Sequence, residues 1–144
     1  MVLKDEWFST MAETEDGQPM FISGRDCLDE FRLSGKLKER VEIYWSYKPA
    51  FKNLPTDSEG ELMEEATLAL RKAVEKDKLA ILTGIYTGNG ERTLVFYCRK
   101  SSVFGERLNE AWKDFPQLPV TIYVENDPEW AEYMEMYEVK PYGE

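Results

Sequence analysis

The sequence predicts an α+β fold of the ferredoxin-like type. Its core is a β-α-β-β-α-β unit, an antiparallel sheet with two helices on one face, and an N-terminal β-hairpin and a C-terminal helix extend it. Three observations carry this. Residues 79–99, LAILTGIYTGNGERTLVFYCR, set two apolar runs about Asn89-Gly90. That pair suits a two-residue type I′ turn, because both residues tolerate positive φ. A stretch of helical period lies on either side of this hairpin, and an alternating strand lies beyond each. The chain of 144 residues reads as a single domain, 1–144.

Taken in order, residues 6–13 (EWFSTMAE) read as a short strand, Asp16-Gly17 as a turn, and residues 19–23 (PMFIS) as a second strand. Residues 29–33 suit a short helical turn. Over residues 38–48, Val41, Ile43 and Trp45 alternate with Glu42, Tyr44 and Ser46. Residues 49–55 read as a loop. Thr56 with Glu59, or Ser58 with Glu61, has capping-box spacing. Leu62, Ala66, Ala69, Leu70, Ala73 and Val74 then form one apolar stripe of a helix.

The turn at Asn89-Gly90 sets a register for the central hairpin. Gly88 faces Glu91, Ile85 faces Leu94, Thr83 faces Phe96 and Ile81 faces Cys98. On the other side Tyr86 meets Thr93, Gly84 meets Val95 and Leu82 meets Tyr97. Both faces are substantially apolar, so the hairpin belongs inside a sheet. Ser101 or Ser102 caps the next helix, whose stripe is Phe104, Leu108, Ala111, Trp112 and Phe115, ended by Pro116 and Pro119. Val120, Ile122 and Val124 alternate with Thr121, Tyr123 and Glu125 in a last strand. Asp127-Pro128-Glu129 opens a final helix, expected to run to about Tyr137. The expected inward set is Val41, Ile43, Trp45, Ile81, Ile85, Leu94, Phe96, Val120, Ile122 and Val124.

Charge narrows the function classes. Twenty-eight acids against eighteen bases give a formal net charge of −10. That balance repels phosphate backbones and excludes nucleic acid as the expected partner. It favours a cationic protein, through steering more than through raw affinity, and it also keeps a protein in solution. The absence of histidine removes the commonest general base and metal ligand. No cofactor and no metal are expected, and no spacing matches an EF-hand. Gly84, Gly88 and Gly90 imitate a phosphate loop in composition only, since their loop joins two strands. Cys27 and Cys98 read as reduced thiols, Cys27 being reactive if exposed beside Arg25. Apolar runs of a few residues give no membrane span, and the start, MVLKDEWF, shows no signal peptide. The expected location is the cytoplasm.

The pattern of Trp7, Val41-Glu42-Ile43-Tyr44-Trp45, residues 83–92 (TGIYTGNGER), Phe96-Tyr97 and Asn126-Asp127-Pro128-Glu129-Trp130 resembles the bacterial domain-of-unknown-function family number 695. The likeness spans nearly the whole chain. It implies the fold, and it brings no catalytic residues with it. Proteins of this appearance sometimes carry a following domain similar to an inhibitor of ribonuclease E, which implies by analogy a regulatory setting.

Two constellations are candidate sites. Tyr44, Tyr86, Tyr97 and Tyr123 stand one on each core strand, on the face away from the expected inward set. A tyrosine-rich open sheet suits a protein partner. The competing expectation is that the N-terminal hairpin or the C-terminal helix covers this face. Residues 125–138 hold Glu125, Asp127, Glu129, Glu132, Glu135 and Glu138 without a base. Glu132 and Glu135 are expected to share a helix side, to dock a basic patch or simply to meet solvent.

The sequence thus points to a non-catalytic, acidic protein-binding or regulatory domain. Its sharpest form is an inhibitor or immunity protein for a basic nuclease or toxin. The expected binding residues are Tyr44, Tyr86, Tyr97, Tyr123, Glu125, Glu129, Glu132 and Glu135. The alternative is a small-ligand binder or enzyme with a pocket between the sheet and the added elements. Either a monomer or a homodimer fits.

Overall fold

Residues 2–50 and 54–141 are described by the structure, a computed structural model. The elements are β1 (Trp7–Glu13), β2 (Pro19–Arg25), α1 (Asp29–Leu33), β3 (Glu39–Ser46), α2 (Asp57–Glu75), β4 (Ala80–Gly88), β5 (Glu91–Cys98), α3 (Ser101–Ala111), β6 (Val120–Asn126) and α4 (Ala131–Tyr137). The strands form one six-stranded sheet in the order β1-β2-β4-β5-β3-β6. Every neighbouring pair is antiparallel. The run β4-β5-β3-β6 is the ferredoxin-like core expected from the order of elements. The N-terminal hairpin does not lie over a face of that core. It lengthens the sheet by pairing Phe21–Gly24 of β2 with Thr87–Gly84 of β4. The loop expected over residues 49–55 falls partly outside the described residues.

The central turn forms as its sequence requires, with φ of 52° at Asn89 and 86° at Gly90. Register holds from Gly88↔Glu91 to Gly84↔Val95 and then shifts. Thr83 is the extra residue of a β-bulge. Beyond it Leu82 faces Phe96, Ile81 faces Tyr97 and Ala80 faces Cys98, which corrects the expected pairs of Thr83, Ile81 and Leu82. Ile81 therefore turns away from α2 and α3, and Leu82 turns toward them. The buried Thr83 hydroxyl donates to the Val95 carbonyl at 3.2 Å. The Leu82 backbone is satisfied by side chains instead of a strand. Its N–H donates to Glu75 at 2.9 Å, and its carbonyl accepts from the buried Arg25 at 3.1 Å.

Two layers of core result. On one face α2 and α3 cover Val41, Ile43, Leu82, Leu94 and Phe96. The buried line of α2 is Met63, Ala66, Leu70 and Val74, and Thr56 caps it by accepting from the Glu59 amide at 3.3 Å. α3 starts after Lys100 without a side-chain cap of its own. Ser101 instead directs its amide and hydroxyl to Glu39, both at 3.0 Å. Ile122 and Val124, expected inside, are each 43% exposed, because β6 is an edge strand that the eleven-residue α3 does not cover. On the other face Phe31 of α1, Trp130 just before α4, and Tyr133 and Met136 of α4 pack against Ile22, Ile81, Val95 and Tyr97. No helix among the described residues is long and apolar enough to cross a membrane.

Candidate functional site

The face carrying the four tyrosines is divided by α4. The ladder places Arg40, Glu42 and Tyr44 of β3 between Tyr97, Val95 and Thr93 of β5 and Glu125, Tyr123 and Thr121 of β6. On the β5 side of this row the face is closed. Tyr97 is fully buried, with Trp130 stacked on its ring at 4.3 Å. Tyr86 is partly buried and donates to Glu132. On the β6 side it is open, and Tyr123 is 44% exposed. The covering element is α4, as one of the two competing expectations had it, and it covers only half the face.

The helix that closes this half begins later than Asp127-Pro128 suggests. Trp130 takes a left-handed conformation at φ 58°, and α4 starts at Ala131. Asp127 still supplies acceptors, at 2.8 Å from the Ala131 amide and 3.2 Å from that of Glu132. The turn swings the Trp130 ring onto the sheet, where its indole N–H donates to the Leu37 carbonyl at 2.8 Å.

An ion network sits at the border between the closed and open halves. Arg40 donates from Nε to Glu42 at 3.0 Å, from one terminal nitrogen to Asp127 at 2.8 Å and from the other to Glu125 at 2.6 Å. The same Asp127 oxygen accepts from the Tyr97 hydroxyl at 2.6 Å. Burial works against the charged Arg40, and its bonds to Asp127 and Glu42 outweigh that and raise its pKa. Burial likewise raises Asp127, but Tyr97, the two amides and Arg40 together hold it below the usual carboxylate range. Burial pushes Tyr97 and Tyr86 upward, so both phenols stay protonated donors. The Tyr44 phenol is pushed up to about 12 by burial and its bond to Glu42. Burial also raises Glu132, the reverse of an exposed acid.

The structure therefore sorts the expected binding residues into two sets. Tyr44, Tyr123, Glu125, Glu129 and Glu135 reach the open side or solvent, although Glu125 is tied to Arg40 and Tyr123. Tyr97 is core. Tyr86 and Glu132 form a half-buried pair between β4 and α4. Glu132 and Glu135 do not present one acidic side, since Glu132 turns to the sheet and Glu135 to water. Sequence reasoning passed over Arg40, Glu42 and Trp130 as a unit. The available signal was a lone arginine in β3 opposite a strand ending in acids. Cys27 is exposed but faces Glu6 at 3.2 Å, while Arg25 points to Glu75, so the expected activating contact is absent.

An acidic α+β domain with a split βαβ core and no recognised catalytic motif is the class these observations define. The chain belongs to DUF695, a family of unknown function whose model matches residues 5–137. No curated protein and no solved structure matches it.

Proposed function

We propose that this domain is a non-catalytic, acidic protein-binding module that takes a basic, extended segment of its partner along β6. The observation carrying this reading is the bare edge. Every residue of β6 after Val120 is exposed, and the strand holds no lysine, proline or charge before Glu125 to blunt it. Its free backbone groups follow from the ladder. The Asp127 amide donates to the Lys38 carbonyl at 2.8 Å, and Ser46 donates to Pro119 at 3.1 Å. Antiparallel alternation then turns the backbone of Thr121, Tyr123 and Glu125 to β3, and that of Ile122 and Val124 outward.

An added strand would find those groups, the side chains of Ile122 and Val124 on one face, and Tyr123 beside Glu125 and Glu42 on the other. Arginine or lysine at alternate positions of the partner suits the second face. In its sharpest form the partner is a basic nuclease or toxin, and the mechanism is occlusion.

The test is capture from the native host's lysate with wild-type protein, Ile122→Lys and the pair Glu129→Gln/Glu135→Gln. A single basic protein should be held at low salt, weakened in the acidic pair and lost with Ile122→Lys. A captured protein that holds Ile122→Lys equally well, or no stoichiometric partner at all, refutes the reading. Self-association through β6 would appear as a dimer of this chain that tightens with salt, because both copies are acidic.

A further inference from the structure

A concavity lies on the side of the sheet opposite α4. The added hairpin carries the sheet beyond the reach of α2, which leaves a groove of about 600 Å³ between that helix and the strands. Its floor includes a cross-strand row, Phe21 of β2 opposite Thr87 of β4, and Thr87 opposite Arg92 of β5. Ile85 belongs to the next row, and α2 supplies Leu68, which is 50% exposed, as part of the wall.

Arg92 is unlike the other arginines. Arg25, Arg32, Arg40, Arg71, Arg99 and Arg107 each stand in an ion pair. Among the described residues Arg92 has none, in a chain of formal charge −10. Its Nε donates to the Thr87 hydroxyl at 2.8 Å, which fixes the plane of the guanidinium. Among the described residues its two terminal nitrogens meet no hydrogen-bond acceptor. The side chain is partly buried, and that burial lowers its pKa, with Glu64 acting only from beyond ion-pair range. A partly desolvated cation without a counterion is unfavourable. A carboxylate meeting the two terminal nitrogens would match the fork of donors they present.

We propose that this groove binds a small carboxylic acid with an apolar body, the carboxylate paired to Arg92 and the body lying against Phe21, Ile85 and Leu68. The volume falls in the range of small-molecule sites. A singly charged group is favoured over a phosphate dianion because Glu64 and Glu65 also line the groove. This site is separate from β6, and its fate is independent of the protein-binding reading.

The experiment is a titration of the full chain at pH 7 and constant ionic strength, followed by backbone amide resonances. The probes are hexanoate, hexylamine and inorganic phosphate. Hexanoate should give saturable shifts at Ile85, Thr87 and Arg92, while hexylamine gives none. Arg92→Met should weaken hexanoate by about tenfold or more, the loss of a charge-assisted pair. Leu68→Glu places a carboxylate at a half-exposed position of the wall and should weaken it comparably. Leu68→Lys should tighten it. Equal shifts from hexanoate and hexylamine, phosphate binding in preference to hexanoate, or undiminished binding by both Arg92→Met and Leu68→Glu would overturn the proposal.

Discussion

Replacing Asp127 by alanine tests the account of how α4 is held on the sheet. Asp127 is 7% exposed and serves four donors: the Tyr97 hydroxyl, one terminal nitrogen of Arg40, and the amides of Ala131 and Glu132. Alanine leaves the Tyr97 hydroxyl buried without its acceptor, a cost of about 1–3 kcal/mol. Loss of the acceptor at the start of α4 adds about 1 kcal/mol. Arg40 keeps Glu42 and Glu125, so its share is smaller than that of an orphaned buried charge. The sum is about 2–4 kcal/mol. With a urea slope of about 2 kcal/mol per molar, the midpoint should fall by about 1–2 M at unchanged slope. Urea unfolding followed by tryptophan fluorescence reads this, since Trp130 stacks on Tyr97. Asp127→Asn keeps one acceptor oxygen and should lose about half as much. The Asp127 carboxyl lies below its unfolded value, so its contribution is complete above about pH 4 and fades as pH falls through the folded pKa. The gap between wild type and Asp127→Ala should therefore narrow toward pH 2. A cost under about 1 kcal/mol at pH 7 would refute the reasoning that this carboxylate anchors the helix.

Glu132 has the opposite sign. Burial raises its pKa, so stability falls as pH rises from the unfolded value toward the folded one. Glu132→Gln keeps an acceptor for Tyr86 and should unfold at higher urea than wild type at pH 7, with no advantage below about pH 4. Gly88→Ala should cost about 1–3 kcal/mol by thermal unfolding, because a Cβ there would stand 2.6 Å from the Pro19 carbonyl and 3.2 Å from the Met20 Cα. Gly60→Ala, in a helix with open space around it, should instead stabilise by about 0.5–1 kcal/mol. The bond to the Glu6 carboxylate raises the exposed Cys27 thiol, so iodoacetamide at pH 7.5 should alkylate it more slowly than free cysteine, and Glu6→Gln should speed the reaction. Buried Cys98, its pKa raised to about 11 mainly by burial, should react only on unfolding.

What was legible in the sequence was local. Asn89-Gly90 determines its turn by φ alone, and alternation or helical period marks each core element within a dozen residues. The bulge at Thr83 was not legible, because Leu79 to Leu82 is apolar throughout. A one-residue slip there moves an apolar side chain between two buried faces and leaves no amphipathic signal. The same ambiguity hid which half of the tyrosine face is closed. Tyr44, Tyr97 and Tyr123 have the same side-chain chemistry on the same face of the sheet, each in a different cross-strand row. What separates them is where Trp130 lands, and a left-handed residue after Asp127-Pro128 decides that. Arg40 and Arg92 make the point about charge. Both are strand arginines, yet one gathers three carboxylates from β3 and the β6 end while the other has none among the described residues. The difference lies in which strand each faces. Arg40 is opposite Glu125, and Arg92 is opposite Thr87 and Trp45. Pairing across a sheet is thus what converts identical residues into a structural tie in one place and a cation without an ion pair in another, and only the assembled register reveals it.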